Sequence, residues 1–346
     1  MFAMKFRITL CLLAACSLVP AENRLLVLSK TDQTLSMVDP ATMKVIARMP
    51  SGPDPHEVSA SADGKLAFIS NYGGGAFNTI SVIDLVARKA LPAVDLGPLR
   101  GPHGLMFAGG KLWFTAEAAK VIGSYDPAAN KVDWILGTGQ NRTHMIYVFD
   151  DLKHLVTSNI SSATMTMIEK SAGPPQGAGG PPPGVGGRGP GRGGPPREDW
   201  DETVIPVGRG AEGFDVSPDG KELWAANAGD GTLSILNVAA KKVIETLPAN
   251  VSGANRLKFT PDGKLVFVST LRGPDVAVFD VATRKEVKRI PVGRGAAGIQ
   301  MQPDGARVFV ACTPDDYVAI VDLKTLQVTG HLDAGKQPDG MAWAVR

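Results

Sequence analysis

The 346-residue chain has only three cysteines, and two of them, Cys11 and Cys16, fall in its first sixteen residues. Cys312 is then the one thiol of the body, which excludes an internal disulfide framework there. No CxxC, CxxCH or His-x₃₋₅-His spacing occurs, so the redox, c-haem and zinc-finger motifs are missing as well. Charge of one sign is also lacking. The 36 Lys+Arg against 34 Asp+Glu leave a net charge of +2, too balanced for a nucleic-acid binder that works by neutralising phosphates. No stretch beyond the leader approaches the roughly 18 uncharged apolar residues of a transmembrane helix. G-x-S-x-G, P-loop and H-E-x-x-H motifs are absent too.

Glycine and proline are abundant: 40 and 26 residues point to many turns and few long helices. Residues 1–21 read as an export signal, with Lys5 and Arg7 ahead of the apolar run Ile8–Ala15 and a small-residue cleavage site at Val19-Pro20-Ala21. Leu13-Ala14-Ala15-Cys16 also looks like a lipobox, which would make Cys16 a lipid anchor. A periplasmic or secreted protein, or alternatively a lipoprotein, is therefore expected.

Internal repeats decide the fold. SADGKLAFISN (61–71), SPDGKELWAAN (217–227), TPDGKLVFVST (260–270) and QPDGARVFVAC (302–312) are one element written four times. Each is followed by a strand such as NTISVIDL or DYVAIVDL and then by a basic strand. Degenerate copies begin at His103 and His144, and the period is about 42 residues, the length of a four-stranded propeller blade. Turns of the type P-D-G-K between runs of β-branched and aromatic residues read as hairpins. Copies starting near 56, 103, 144, 212, 255 and 297, plus one split between Gly340–Val345 and Leu25–Met49, predict an all-β, seven-bladed propeller over 22–346, closed by joining both termini in one blade. Residues 171–200, with 11 Gly and 8 Pro, cannot form a core and are expected to be a disordered insert between strands C and D of the third blade. It is either a tolerated surface loop or a docking segment.

The P-D-G-K turns, the B strands AFISN, LWAAN, VFVST and VFVAC and the C strands ISVIDL and VAIVDL resemble the YVTN β-propeller repeat family, which includes exported YncE-like proteins and, more distantly, the propeller of haem d1 nitrite reductases. The resemblance implies an exported propeller and names no reaction.

In a propeller the start of strand A and the end of strand B open on one face around the channel. The aligned repeats place His56, His103, His144, Glu212, Asn255, Ala297 and Asp339 at the A entrance, and Lys30, Asn71, Glu117, Asn159, Asn227, Thr270 and Cys312 at the B exit. These positions are polar yet differ from blade to blade, whereas the turn residues Asp219, Asp262 and Asp304 recur unchanged. Such variation suggests a site assembled from all blades. Three of the five histidines share one register on adjacent blades, and with nearby carboxylates they form a ligand set for Zn, Cu, Fe or Mn. Hydrogen bonding to a neighbouring blade is the structural alternative for His56, His103 and His144. Arg100, Arg209, Arg294 and Lys336 precede the entrance by three residues and Arg142 by two; with Arg256 and Arg272 they could steer or pair an anionic ligand. Two functions follow: a monomeric binding propeller for a small molecule, metal or protein, or a metal-dependent lyase, lactonase or oxidoreductase centred on the three histidines.

Overall fold

The structure is a computed structural model and describes residues 23–172 and 198–346; the expected export signal, the expected lipobox at Cys16 and most of the Gly/Pro-rich insert lie outside the described residues. The chain enters through β1 (Arg24–Ser29), β2 (Thr34–Asp39) and β3 (Lys44–Pro50). Blade 1 is β4 (Pro55–Ala60), β5 (Leu66–Asn71), β6 (Thr79–Asp84) and β7 (Lys89–Asp95). Blade 2 is β8 (Pro102–Ala108), β9 (Lys111–Ala116), β10 (Val121–Asp126) and β11 (Lys131–Gly137). Blade 3 is β12 (Thr143–Val148), β13 (His154–Asn159), β14 (Thr164–Ala172) and β15 (Glu198–Pro206). Blade 4 follows as β16 (Ala211–Val216), β17 (Glu222–Asn227), β18 (Thr232–Asn237) and β19 (Lys242–Leu247). Blade 5 is β20 (Ala254–Phe259), β21 (Leu265–Thr270), β22 (Asp275–Asp280) and β23 (Glu286–Pro291). Blade 6 is β24 (Ala296–Met301), β25 (Arg307–Cys312), β26 (Tyr317–Asp322) and β27 (Gln327–Leu332), and β28 (Pro338–Ala344) joins β1–β3 as blade 7.

The result is seven four-stranded antiparallel sheets in a ring, the fold that the repeats predict. Blade 7 closes it with β28 beside β1, Trp343 opposite Leu25. Among the described residues the helical content is two single 3₁₀ turns, and no helix is long and apolar enough to cross a membrane. One boundary differs from the sequence reading. β14 and β15 are nine residues each, so 171–172 and 198–200 belong to strands and the insert is shorter than 171–200.

Strands B and C are buried along almost their whole length because neighbouring blades cover both of their faces. Trp224, Phe68, Phe114, Phe267 and Phe309 fill the spaces between blades and are fully buried. The outer D strands alternate or are exposed. In each P-D-G-K hairpin the aspartate accepts the backbone N–H two residues on, as Asp219 does from Lys221 at 3.1 Å, and the preceding Ser or Thr hydroxyl donates to the same carboxylate.

Strand A positions the channel residues. In every blade its register against the neighbouring strand slips across the same two residues, for example between Pro55 and Val58 and between Thr143 and Ile146. A bulge frees those two residues from the ladder and re-aims their side chains. The first of the two is the entrance residue: His56, His103, His144, Glu212, Asn255, Ala297 or Asp339.

Candidate metal centre at the channel mouth

The bulged entrance brings the three imidazoles together. The ring centroids of His56 and His103 are 4.7 Å apart and those of His103 and His144 are 3.7 Å apart. Tyr72 leans edge-on against His103 at 5.0 Å and also lies 5.0 Å from His56. His103 and His144 are buried, at 1% and 3% exposure. One ligand atom each from His103, Glu117 and His144 lie within 4.8 Å of one another.

Glu117 is the hub of hydrogen bonding. Its Oε1 accepts from His144 Nδ1 at 2.5 Å, and its Oε2 accepts from the Tyr72 hydroxyl at 2.5 Å and from Arg142 Nε at 3.4 Å. A carboxylate on Nδ1 fixes the tautomer of His144 and leaves Nε2 as the acceptor nitrogen, as outer carboxylates do for metal-bound imidazoles. That Nε2 faces Glu212 Oε1 at 3.8 Å and the Arg256 guanidinium at 3.5 Å. His56 is oriented differently: Lys30 Nζ donates to its Nδ1 at 2.7 Å, and Asp339 lies 3.9 Å from Nε2. Lys30 also reaches Asp54 and Asp339, at 3.3 Å each.

His103 has no such support. Its Nδ1 is buried and has no hydrogen-bond partner, a state that costs about 1–3 kcal/mol when nothing compensates it. Burial, then the nearby His144 and His56, holds its pKa well below the usual histidine range. Burial also pulls His144 down to about 4, against the opposing pull of Glu117. Burial pushes Glu117 up, but bonds from His144 and Tyr72 outweigh it and its carboxyl stays below its ordinary value. Burial raises Glu212 and pushes the Tyr72 phenol up to about 12. The cluster thus holds two neutral imidazoles and an ionised carboxylate, the forms that ligate metals. Around them stand five carboxylates (Asp54, Glu57, Glu117, Glu212 and Asp339) against three cations, Lys30, Arg142 and Arg256.

Other residues singled out in the sequence fall elsewhere. Asn255 is beside the cluster, its Oδ1 accepting from Arg256 at 3.1 Å. Arg256 pairs with Glu57 across the channel, under the histidines. Beyond that bar lies a chamber of about 340 Å³ with Met106, Met145, Tyr147, Met341 and Trp343 in its wall. Arg272 is exposed in the loop after β21. Asn71, Asn159 and Asn227 turn away from the channel. Their amides donate to hydroxyls of strand C in their own blades, Asn71 to Thr79 and Ser81, Asn159 to Thr164 and Thr166, Asn227 to Thr232 and Ser234.

The B-exit ring is therefore two registers rather than one. Ser29 and Ala116, not Lys30 and Glu117, are opposite the first residue of strand A, as Asn71, Asn159 and Asn227 are. Lys30, Tyr72, Glu117, Ile160, Ala228, Leu271 and Thr313 occupy the next position; in all seven blades its backbone N–H donates to the residue two before the entrance. A one-residue step along a strand end reverses the side-chain direction. Lys30, Tyr72 and Glu117 consequently point to the histidines and the asparagines do not. Tyr72, Asp54 and Glu57 were not singled out by the sequence reading. Tyr72 shares the register of Lys30 and Glu117. Asp54 and Glu57 stand where four other blades carry glycine, which is the signal that marks them.

No protein-family profile matches the chain, and no curated protein sequence matches it. Solved structures do. A functionally unknown protein from Desulfotomaculum acetoxidans is similar with a TM-score of 0.72 at 14% identity, covering 93% of this chain and 99% of that one. A candidate 6-phosphogluconolactonase from Bacteroides fragilis gives 0.69 at 16% identity, covering 94% and 99%. The hydrazine synthase of Kuenenia stuttgartiensis gives 0.63 at 18% identity, covering 83% and 88%. At these identities the likeness establishes the seven-bladed propeller fold.

Proposed function

We propose that the protein is an exported, YVTN-type β-propeller that binds a divalent transition metal at the mouth of its channel, with His103 and His144 as nitrogen ligands and Glu117 as the carboxylate that orients His144. The observation that carries this reading is the buried, partnerless Nδ1 of His103 beside a second neutral imidazole and an ionised carboxylate. The excess of carboxylates over cations supports a cation at this place. The 1–21 leader supports export, and fractionation of the producing cell tests it.

The metal reading is tested by elemental analysis of protein purified without chelator, followed by zinc titration. Near-stoichiometric metal is expected in the native protein, and its loss in His103→Ala and His144→Ala. His56→Ala should retain it, because His56 already accepts from Lys30. Glu117→Gln should weaken affinity by roughly ten- to a hundredfold, the usual effect of removing an outer carboxylate. No metal in the purified protein, together with no change in Tm on adding zinc, copper, manganese or iron, would overturn the proposal.

A second reading, a metal-dependent lactonase-, lyase- or oxidoreductase-type enzyme, is favoured by Glu212. Its carboxyl, raised by burial, faces His144 Nε2 and suits acid–base work. A bound metal would supply Lewis acidity there. Loss of turnover in Glu212→Gln with metal content intact is the outcome this reading requires.

A further inference from the structure

The repeats supply an internal control for each position of the blade. Two residues before the strand A entrance the backbone is left-handed in all seven blades, with φ of 46° at Asp54, 73° at Gly101, 54° at Arg142, 72° at Gly210, 66° at Gly253, 58° at Gly295 and 53° at Gln337. The carbonyl of this residue accepts the N–H of the residue after strand B in every blade. The blade thus fixes the conformation and asks nothing of the side chain. Glycine, which adopts it without a Cβ penalty, fills four of the seven places. The three departures need a reason outside the repeat.

Two of them have one in their contacts. Asp54 accepts from the Gly73 N–H at 2.8 Å and faces Lys30. Gln337 accepts from the Thr31 hydroxyl at 2.9 Å on the rim. Arg142 is different. Its Nε is engaged on Glu117 at 3.4 Å and its guanidinium also interacts with the Tyr72 hydroxyl, while its two terminal nitrogens form no ion pair among the described residues. Its side chain is 47% exposed, so it stands at the edge of the histidine cluster with the fork of its guanidinium open to solvent. Four other cations of the mouth are committed: Arg256 to Glu57, Lys30 to Asp54 and Asp339, Arg294 to Asp315, and Arg100 to the Ala76 carbonyl.

We infer that Arg142 is the recognition residue for a small ligand bearing a carboxylate or phosphate group, received at the open side of the His103–His144 pair. A planar guanidinium with its fork open to solvent is the side chain that matches a two-oxygen anion in bidentate fashion. Anchoring through Nε to the carboxylate that holds His144 couples the anion position to the orientation of that ring. The inference rests on the metal reading in one respect: five carboxylates oppose an anion here until a cation is bound.

Isothermal titration of the full chain, metal-free and loaded with one equivalent of zinc, against inorganic phosphate and against succinate tests it. The zinc-loaded wild type should bind at least one probe, and the preferred probe tells phosphate from carboxylate recognition. Arg142→Gly should weaken that binding roughly ten- to a hundredfold, the size of a lost charged hydrogen-bond pair, with Arg142→Lys between. Glycine suits the left-handed position, so the variant should fold, and its own zinc titration, run beside the anion titration, separates a lost anion contact from a disturbed metal site. Equal affinity in wild type and Arg142→Gly, or no binding of either probe by the zinc-loaded wild type, would overturn the inference and leave the metal reading standing. A wild type that takes no zinc defeats the metal reading instead. Arg142-dependent binding by the metal-free protein would then uphold the inference alone.

Discussion

At the scale of single residues, the buried imidazoles tie stability to pH. His144 titrates near 4 in the fold because burial disfavours its charged form, against about 6.5 in the unfolded chain. Between those values the unfolded state binds the extra proton. This contribution is therefore fully present above pH 6.5 and is lost as pH falls toward 4. The difference amounts to about 3 kcal/mol for His144 at pH 7, and His103 acts in the same direction. Urea unfolding of metal-free protein should show stability dropping between pH 7.5 and 4.5, with a drop about 2–3 kcal/mol smaller in His144→Gln. An identical drop in both would mean that His144 is not buried in its neutral form. Cys312 behaves as an inert residue for the same physical reason: burial pushes its thiol up to about 12, and its Sγ donates to the Val292 carbonyl at 3.4 Å. In a Cys11→Ala, Cys16→Ala background, a thiol reagent should label Cys312 only after unfolding. The histidine register was legible in the sequence because one residue of each repeat faces the channel and a period of about 42 finds it. The exit ring was legible only in part. Choosing Asn71 with Glu117 mixes two positions that face opposite ways, and the step between them is visible only in the hydrogen bonds.

At the scale of strands, the second bulged residue shows how tightly the blades meet. Gly104, Gly213, Gly298 and Gly340 hold this place in four blades, and a Cβ there would lie 2.1–2.5 Å from the entrance carbonyl of the next blade. Gly213→Ala would meet the Asn255 carbonyl at 2.2 Å and should cost about 1–3 kcal/mol as overpacking. Gly137, exposed in β11, has open space around its Cβ position. Gly137→Ala should be neutral or stabilise by up to about 1 kcal/mol. Denaturant midpoints of the two variants check the contrast, and equal effects would deny the close inter-blade approach. Blades 1, 3 and 5 have Glu57, Met145 and Arg256 at this place. There Glu57 and Arg256 carry long charged side chains that pair to bar the channel beneath the histidines. The alternation of strands and turns could be read from P-D-G-K and β-branched runs. The ion pair could not, because its partners are 199 residues apart and only closure of the ring brings them together.

At the scale of the whole molecule, closure is the decisive device, since an open array of seven sheets would leave two terminal sheet faces uncovered. β28 and β1 supply it, with Ala344 opposite Arg24. The same strand carries Asp339, which with Lys30 from the other end of the chain steadies His56. The two chain ends thus build one wall of the candidate centre. Two consequences follow from treating the ring, rather than the linear order, as the unit of stability. Deleting residues 338–346 removes strand A of blade 7, exposes the edge of β1 and takes away Asp339. Because loss of one blade strand uncovers both neighbours, the deletion should abolish the cooperative unfolding transition rather than shift it by a few degrees. A circular permutant that links Arg346 to Asn23 through a short Gly/Ser linker and opens within 173–197 keeps all seven sheets and their pairings. Linking ends that already lie side by side costs little loop entropy. The permutant should unfold cooperatively with a Tm within a few degrees of the parent and, under the proposed function, bind zinc with the same stoichiometry. Calorimetry on the two constructions separates the cases. A permutant as damaged as the deletion would show that chain order around the insert, not ring closure, governs stability.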